Sequence, residues 1–244
     1  MNDIQHNISS IKQRMERAAA NSGRDPESVR LLLAVKTVAA EKITSAFAGK
    51  RLLLGENKVQ ELRQKYDYLS VIDAEFHFIG HLQTNKVKDV LKFADCIQSV
   101  DRISLMEKLD QRLQHEGRSA DVMLQVNTSY EESKFGVSPE RAIQLAREMS
   151  KYDTLRVKGL MTIGLFSAET EKVRQCFRLL KKLELQIKEL GLPNFDLREL
   201  SMGMSHDFET AIEEGATIVR VGTAIFGDRI YPDSYYWNEN KDVK

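Results

Sequence analysis

Eight short apolar runs alternate with segments of helical periodicity, and this alternation constrains the fold more than any other feature of the chain. Strands that alternate with helices run parallel, and continuous apolar runs are typical of parallel strands covered on both faces. Eight such units in 244 residues match the size of a (β/α)8 TIM barrel, so we predict one closed barrel rather than an open sheet. The runs are Leu31–Val35, Leu52–Leu54, Phe76–Ile79, Cys96–Val100, Val122–Val126, Val157–Met161, Leu197–Leu200 and Ile218–Val221.

A leading helix is predicted before the first strand, with Gly23 as its stop. The apolar residues that recur there at helical spacing are Ile4, Ile8, Ile11, Met15 and Ala18. Asp25-Pro26 is typical of a cap followed by the first residue of a short turn, and Ser138-Pro139 predicts a later helix start in the same way. The clearest later helix spans about 168–190. We predict a single domain over residues 1–244, with a short tail at about 228–244.

Charge and hydropathy argue against several classes of function. The chain has 36 basic and 36 acidic residues, so nothing in its charge predicts binding to nucleic acid or to an anionic membrane. No apolar run approaches the roughly 20 residues that span a bilayer, and the charged N-terminus lacks the apolar segment of a signal peptide. Cys96 and Cys176, the two cysteines, are expected to be buried, reduced thiols. We therefore expect a cytoplasmic protein, and we expect it to be a monomer.

Functional groups of such a barrel lie at the C-terminal ends of its strands. Small and polar residues follow the predicted strands at Lys36-Thr37, Gly55-Glu56-Asn57, Gly80-His81, Asn127-Thr128, Met161-Thr162, Ser201–Ser205 and Gly222-Thr223. Lys36 follows five apolar residues, and burial lowers the pKa of an amine and makes it a nucleophile toward carbonyl groups. The alternative is a lysine whose stem packs on the strand end while its ammonium reaches solvent.

Two segments are suited to a phosphate group. The small residues of Ser201–Ser205 can offer backbone N–H groups and hydroxyls to an anion. Gly222–Gly227 resembles the start of a short helix after the last strand, which is a common phosphate site in this fold. Both could instead be ordinary tight turns. Arg220 should point into the barrel if Val219 and Val221 point out, and the alternative role for it is a structural ion pair. His77 and His81 do not form a metal motif.

The residues at these positions resemble the pyridoxal 5'-phosphate (PLP) homeostasis protein family, whose members are single barrels similar to that of alanine racemase. The resemblance covers nearly the whole chain, and the last two of its segments, in this order and at this spacing, are hard to produce by chance. The segments are Ala34–Thr37, Gly55–Glu61, His77–Lys86, Gln125–Asn127, Ser133–Gly136, Gly159–Ile163, Ser201–Ser205 and Val219–Gly227. The family usually has Ser-Lys-Thr-Lys-Pro around its lysine. Here Val35, Val38 and Ala39 replace the serine, the second lysine and the proline.

The resemblance implies that PLP is bound as a Schiff base on Lys36. We expect no catalytic residue and no metal site. The other residues that the resemblance assigns to the cofactor are Asn57 near the ring, Arg220 at the pyridine nitrogen, and Ser201, Met202, Gly222 and Thr223 at the phosphate.

Three functions are compatible with these residues. We expect a PLP-binding homeostasis protein without catalytic activity, with apo-PLP enzymes as candidate recipients of the cofactor. The alternative is a PLP-dependent amino-acid racemase-like enzyme. Arginine cannot accept the proton of the pyridine nitrogen, which makes the ring a weaker electron sink. Racemases manage with that arrangement, but those that this chain resembles add a second domain that supplies another base, and no room for it is expected after Gly227. A third possibility is an aldolase-like enzyme that uses Lys36 without PLP, with Glu56 and His81 as acid and base.

Overall fold

The computed structural model describes residues 3–227 and contains a closed barrel of eight parallel strands. Each strand pairs with the next along the chain, and the last pairs with the first. The strands, β1 to β8, are Arg30–Ala34, Leu52–Glu56, Ala74–Phe78, Cys96–Val100, Ala120–Gln125, Leu155–Met161, Phe195–Ser201 and Ile218–Val221. The predicted barrel is confirmed, and each predicted run overlaps one strand.

Several strands begin one or two residues before the predicted apolar runs do, because a charged residue stands at their first or second position. Arg30 at the start of β1 makes ion pairs with Glu75 of β3 (3.3 Å) and Glu199 of β7 (2.9 Å). Arg156 of β6 pairs with Asp121 of β5 in the same region. These residues form a charged floor at the N-terminal end of the barrel, which apolar periodicity alone does not detect.

Helices cover the outside of the barrel. Within residues 3–227 they are α1 (Asp3–Asn21), α2 (Ala40–Thr44), α3 (Val59–Leu69), α4 (Val87–Val90), α5 (Ile103–Glu116), α6 (Pro139–Met149), α7 (Thr170–Glu189), α8 (Phe208–Glu213) and α9 (Thr223–Phe226). Short 3-10 helices span Pro26–Ser28 and Thr84–Lys86. None of the helices in this part of the chain is both long and apolar enough to cross a membrane.

The predicted helix starts are mostly confirmed. α1 buries Ile11, Met15, Ala18 and Ala19 and contacts α8 and α9. The side chain of Asp25 accepts a hydrogen bond from the N–H of Glu27, as expected of a cap. Ser138 is the N-terminal cap residue of α6 and Pro139 its first helical residue, as predicted, although the side chain of Ser138 makes no capping hydrogen bond. The predicted tail at 228–244 lies outside the described residues.

The apolar core has two parts. The larger part fills the space between the strands and the helices and includes the outward-facing Val219 and Val221. A small apolar cluster lies inside the barrel, where Leu32, Met123 and Ile218 contribute to it. Both cysteines are buried, as predicted, and neither forms a disulfide within residues 3–227. The remaining space inside the barrel holds polar side chains, which lead toward the functional end.

Candidate functional site

A cavity of about 220 Å³ lies at the C-terminal end of the barrel. Residues at or after the ends of six strands line it, as the barrel fold predicts. The lining residues are Ala34, Lys36, Asn57, Ile79, Met161, Ile163, Phe166, Met204, Ser205, His206, Asp207, Arg220, Gly222 and Thr223. The fold therefore brings a primary amine, a guanidinium and several hydroxyl and amide groups to one cavity.

Lys36 is half-buried in the turn that follows β1. The next residue, Thr37, has φ of 66°, a left-handed conformation that is unusual for a β-branched side chain. The N–H of Thr37 donates a hydrogen bond of 2.9 Å to Glu61 Oε2. On the other side of Lys36, the carbonyl of Val35 accepts a hydrogen bond of 2.9 Å from Lys65 Nζ. The backbone is thus held by side chains of α3 on both sides of Lys36.

Asn57 follows the end of β2 and lies in the cavity wall. Its N–H donates to the carboxylate of Glu56, whose other oxygen accepts from Lys65 Nζ at 2.8 Å. Glu56 is only 2% exposed. Burial raises the pKa of Glu56 to about 7, although the positive charge of Lys65 opposes the shift. The carboxylate of Glu56 is engaged behind the cavity wall and is not part of the lining.

Arg220 lies inside the barrel, as the alternation of β8 predicts, and it is 5% exposed. Its Nη1 donates to the hydroxyl of Ser201 at 2.7 Å, and its Nη2 donates to the carbonyl of Thr162 at 2.6 Å. No carboxylate within the described residues forms an ion pair with it, so these neutral groups take the place of the alternative structural ion pair. Burial lowers the pKa of Arg220 to about 10, and the charge of Asp207 opposes this shift. Arg220 therefore remains protonated at neutral pH.

A polar column connects Arg220 to the charged floor of the barrel. It consists of Arg220, Ser201, Gln98, His77 and Glu75. The hydroxyl of Ser201 donates to Gln98 Oε1 at 2.6 Å, and Gln98 Nε2 lies 2.6 Å from His77 Nδ1. His77 Nε2 lies 2.7 Å from Glu75 Oε1. Because the Gln98 amide donates to Nδ1, the proton of a neutral His77 resides on Nε2. The hydrogen bond between His77 Nε2 and Glu75 is the main cause that lowers the pKa of Glu75 to about 2.

Hydroxyl and amide donors meet on the β7–β8 side of the cavity. The hydroxyls of Ser205 and Thr223 lie 3.1 Å apart, and the N–H of Ala224 makes only a long contact of 3.5 Å to Ser205 Oγ. A Cβ atom added to Gly222 would lie 3.0 Å from the carbonyl oxygen of Ala34, so this turn runs close to the end of β1. Such a set of short donors suits an anionic oxygen group.

The carboxylate of Asp207 holds the loop after β7 in place. Its Oδ1 accepts a hydrogen bond of 2.5 Å from the N–H of Met204. Gly203 in the same loop has φ of 90°, and an added Cβ would lie 2.5 Å from the Cβ of Ala211. Burial raises the pKa of Asp207, while the backbone hydrogen bond and the charge of Arg220 lower it. The loop is therefore fixed both by close packing at Gly203 and by the half-buried carboxylate of Asp207.

Five of the seven residues that the sequence assigns to the cofactor line this cavity: Lys36, Asn57, Arg220, Gly222 and Thr223. Ser201 and Met202 do not line it. The hydroxyl of Ser201 is bonded to Gln98 and Arg220, and the N–H of Met202 donates to the carbonyl of Ile218. Their predicted phosphate contacts stay predictions without support from the lining.

Ser205 lines the cavity and belongs to the segment Ser201–Ser205 that the sequence predicts for an anion. Other lining residues are not among the predicted site residues. Phe166, 78% exposed at the cavity mouth, and the titratable His206 and Asp207 gave no comparable signal. By contrast, neither residue of the aldolase-like alternative lines the cavity: Glu56 binds Lys65, and His81 stacks on Phe135 with ring centroids 3.8 Å apart.

Known proteins match this chain over most of its length. Residues 1–230 match the model of the alanine racemase N-terminal domain family. The pyridoxal phosphate homeostasis protein of Aquifex aeolicus is 42% identical over 224 residues, which cover 92% of this chain and 97% of the relative. That of Haemophilus influenzae is 38% identical over 234 residues, which cover 95% of this chain and 98% of the relative.

Solved structures of similar proteins have the same fold as this chain. An unknown protein from Bifidobacterium adolescentis superposes with a TM-score of 0.86 at 40% identity, covering 92% of this chain and 94% of that one. PipY of Synechococcus elongatus with PLP bound has a TM-score of 0.76 at 34% identity, covering 88% and 100% of the two chains. Alanine racemase of Clostridium difficile, at 16% identity, shares the fold, with a TM-score of 0.69 over 95% of this chain and 58% of the racemase.

Proposed function

The chain belongs to the alanine racemase N-terminal domain family and, within it, to the pyridoxal phosphate homeostasis proteins, and from this we propose that it binds PLP as a Schiff base on Lys36. The observation that carries the proposal is the cavity itself. One wall supplies the amine of Lys36, the β7–β8 side supplies hydroxyl and amide donors, and Arg220 supplies a buried cation. These three groups correspond to the aldehyde, the phosphate and the ring nitrogen of PLP.

The chain's own residues have separate tasks in this proposal. The amine of Lys36 condenses with the aldehyde carbon, a C=N bond forms, and the carbonyl oxygen leaves as water with two protons from the amine. No oxidant or reductant is needed, and the step is reversible by water. Gly222 and Thr223, joined by Ser205, hold the phosphate through hydrogen bonds, each worth about 1.5–3 kcal/mol. Asn57 lies beside the ring.

Arg220 is proposed to donate a hydrogen bond to the ring nitrogen. Two of its nitrogens are already bonded to Ser201 and Thr162, and Nε has no partner within the described residues. A guanidinium can only donate, so it favours an unprotonated ring nitrogen and a weak electron sink. A weak electron sink is compatible with a protein that loads and releases PLP, and the names of the relatives make a racemase-like enzyme the less supported alternative. Cytoplasmic location, a monomeric state and apo-PLP enzymes as recipients remain proposals from the sequence.

The proposal predicts that the purified protein is yellow and carries PLP on one lysine. Borohydride reduction followed by peptide mass mapping should find a pyridoxyl group on Lys36, and Lys36→Ala should lose both the label and the visible absorption band. Pyridoxal, which lacks the phosphate, is the matched ligand control and should bind at least about tenfold more weakly, because losing one charge-assisted hydrogen bond costs that much. Labelling of another lysine alone in the wild-type protein would refute the attachment site.

A further inference from the structure

Three ionisable side chains behind the cavity wall form a compact cluster. The ammonium of Lys65, on α3, donates to Glu56 Oε2 at 2.8 Å, to Glu61 Oε2 at 2.9 Å and to the carbonyl of Val35 at 2.9 Å. An ammonium has three protons, so these bonds account for all of them. The side chain of Lys65 is 13% exposed and that of Glu56 is 2% exposed. We call Lys65, Glu56 and Glu61 the α3 cluster, although Glu56 itself ends β2.

The cluster forms hydrogen bonds to the backbone on both sides of Lys36. Lys65 binds the carbonyl that precedes Lys36, and Glu61 Oε2 accepts the N–H of Thr37, which follows it. Glu56 also accepts the N–H of Asn57, the neighbouring residue of the cavity wall. A simple surface ion pair would not need these backbone contacts, since Lys65 and Glu61 are four residues apart on one helix and could pair in solvent.

The conformation of Thr37 shows what the cluster holds in place. A β-branched residue with φ of 66° is strained and persists only where its surroundings impose that conformation. The hydrogen bond from its N–H to Glu61 is one such constraint. Without it, the turn could relax and carry Lys36 with it.

We infer that the α3 cluster is a positioning device, in which Lys65, Glu56 and Glu61 fix the turn that presents the amine of Lys36 to the cavity. This inference rests on the proposed function of Lys36. The three residues do not line the cavity and act through the backbone of residues 35–37. They are therefore expected to control how readily Lys36 forms the Schiff base, and to have little effect on how tightly the phosphate and ring are held.

The test separates these two properties. Schiff-base formation is measured as the rate and yield of pyridoxyl-Lys36 after PLP addition and borohydride quenching. Binding without the covalent step is measured by calorimetry with pyridoxine 5'-phosphate, which lacks the aldehyde. Lys65→Met should slow labelling of Lys36 about 10- to 100-fold, since small misplacements of a reacting group cost this much, and should change the affinity for pyridoxine 5'-phosphate by no more than about twofold.

Lys181→Met is the matched control. Lys181 pairs with Glu184 at 2.9 Å, the side chain of Glu184 is 5% exposed, and neither residue lines the cavity. This variant also leaves a buried glutamate without its lysine, although Lys181 itself is more exposed (41%) than Lys65 (13%), and labelling of Lys36 should stay at the wild-type rate. Equal labelling rates in Lys65→Met, Lys181→Met and wild type would overturn the inference.

A second pair of variants tests whether the α3 cluster positions Lys36 if Lys65→Met does not fold. Glu61→Gln keeps an oxygen that can accept the N–H of Thr37, whereas Glu61→Ala removes it. Labelling of Lys36 should be slow in Glu61→Ala and largely restored in Glu61→Gln, and equal rates in the two would overturn the inference. Absence of label in the wild-type protein is a different result, because it refutes the Schiff base itself and the cluster's role with it.

Discussion

At the scale of single residues, two buried ionisable side chains, Arg220 and Glu56, lie in or behind the cavity wall. Arg220 is a buried cation bonded to a hydroxyl and a carbonyl, and Glu56 is a buried carboxylate matched to one lysine. The alternation of β8 predicted that Arg220 faces inward. Its partners could not be predicted, because Ser201 and Thr162 reach it only through the closure of the barrel at β6, β7 and β8.

Glu75 should make the folded protein sensitive to acid. Its pKa is about 2 in the folded protein against an ordinary value of 4.5, so its contribution to stability is complete above pH 4.5 and is lost as the pH falls toward 2. Because the group is only half-buried, we expect about 1–2 kcal/mol. Denaturant unfolding of Glu75→Gln should show this deficit at pH 6, and the deficit should shrink as the pH falls to 3.

The exposed pair of Glu148 and Lys151 provides the control for this prediction. Glu148→Gln should alter the free energy of unfolding by less than about 0.5 kcal/mol at any of these pH values. A deficit of Glu75→Gln that stays constant from pH 6 to pH 3 would contradict the assigned role of its charge.

At the scale of elements, close approach between neighbouring strands explains where the periodic pattern is interrupted. The pairing of β6 with both β5 and β7 shifts register between Val157 and Gly159. A Cβ atom added to Gly159 would lie 1.7 Å from the carbonyl oxygen of Glu199, which is backbone and cannot rotate away. Glycine is therefore required at this position of β6 by the packing of β7.

Gly159→Ala should destabilise the barrel by about 3 kcal/mol or more, since β6 and β7 would have to separate. Gly23→Ala is the comparison, because Gly23 has φ of 68° and open space around its Cα. It should lose only about 1 kcal/mol from the left-handed backbone. Thermal or denaturant unfolding of the two variants measures the difference, and equal losses would show that backbone strain rather than strand contact dominates at Gly159.

The order of the elements could be read from the sequence because each strand and helix carries its own apolar pattern. The starts of β1 and β3 could not be predicted, because Arg30 and Glu75 are polar and are stabilised by partners distant in the chain. Distant partners also limited how much of the candidate site could be predicted. Lys36 and the turn at Gly222 follow strands directly and were predicted to lie at one end, whereas Lys65 acts on Lys36 from a helix 29 positions further along the chain.

At the scale of the whole molecule, the fold alone does not separate this family from the racemases. The barrel of the Clostridium difficile racemase shares the fold at 16% identity, and the match covers 58% of the racemase chain. The relatives that match at 38–42% identity along nearly their whole length are named homeostasis proteins.

We predict that the PLP-loaded protein does not racemise alanine at ordinary enzyme rates, which are on the order of 1 per second or faster. Racemases tolerate an arginine that cannot keep the ring nitrogen protonated, so the reason is the combination of Arg220 with a cavity whose mouth carries the exposed Phe166 and with no second base assigned opposite Lys36. Chiral analysis of alanine incubated with the loaded protein tests this. Fast racemisation that disappears in Lys36→Ala would establish the racemase-like alternative, with His206 and Asp207 as the first residues to test as a second base.

The polar column inside the barrel couples the charges at its two ends, Arg220 near the cavity and Glu75 at the N-terminal end of the barrel. Its hydrogen bonds all run in the same direction, from Arg220 toward Glu75. Their bond dipoles are aligned, with the negative end at the guanidinium and the positive end at the carboxylate, so the row stabilises both charges as a helix does at its two termini. The cation beneath the cavity is thus supported from the opposite mouth of the barrel, and neutralising Glu75 there would change the electrostatic potential that a ligand meets above Arg220.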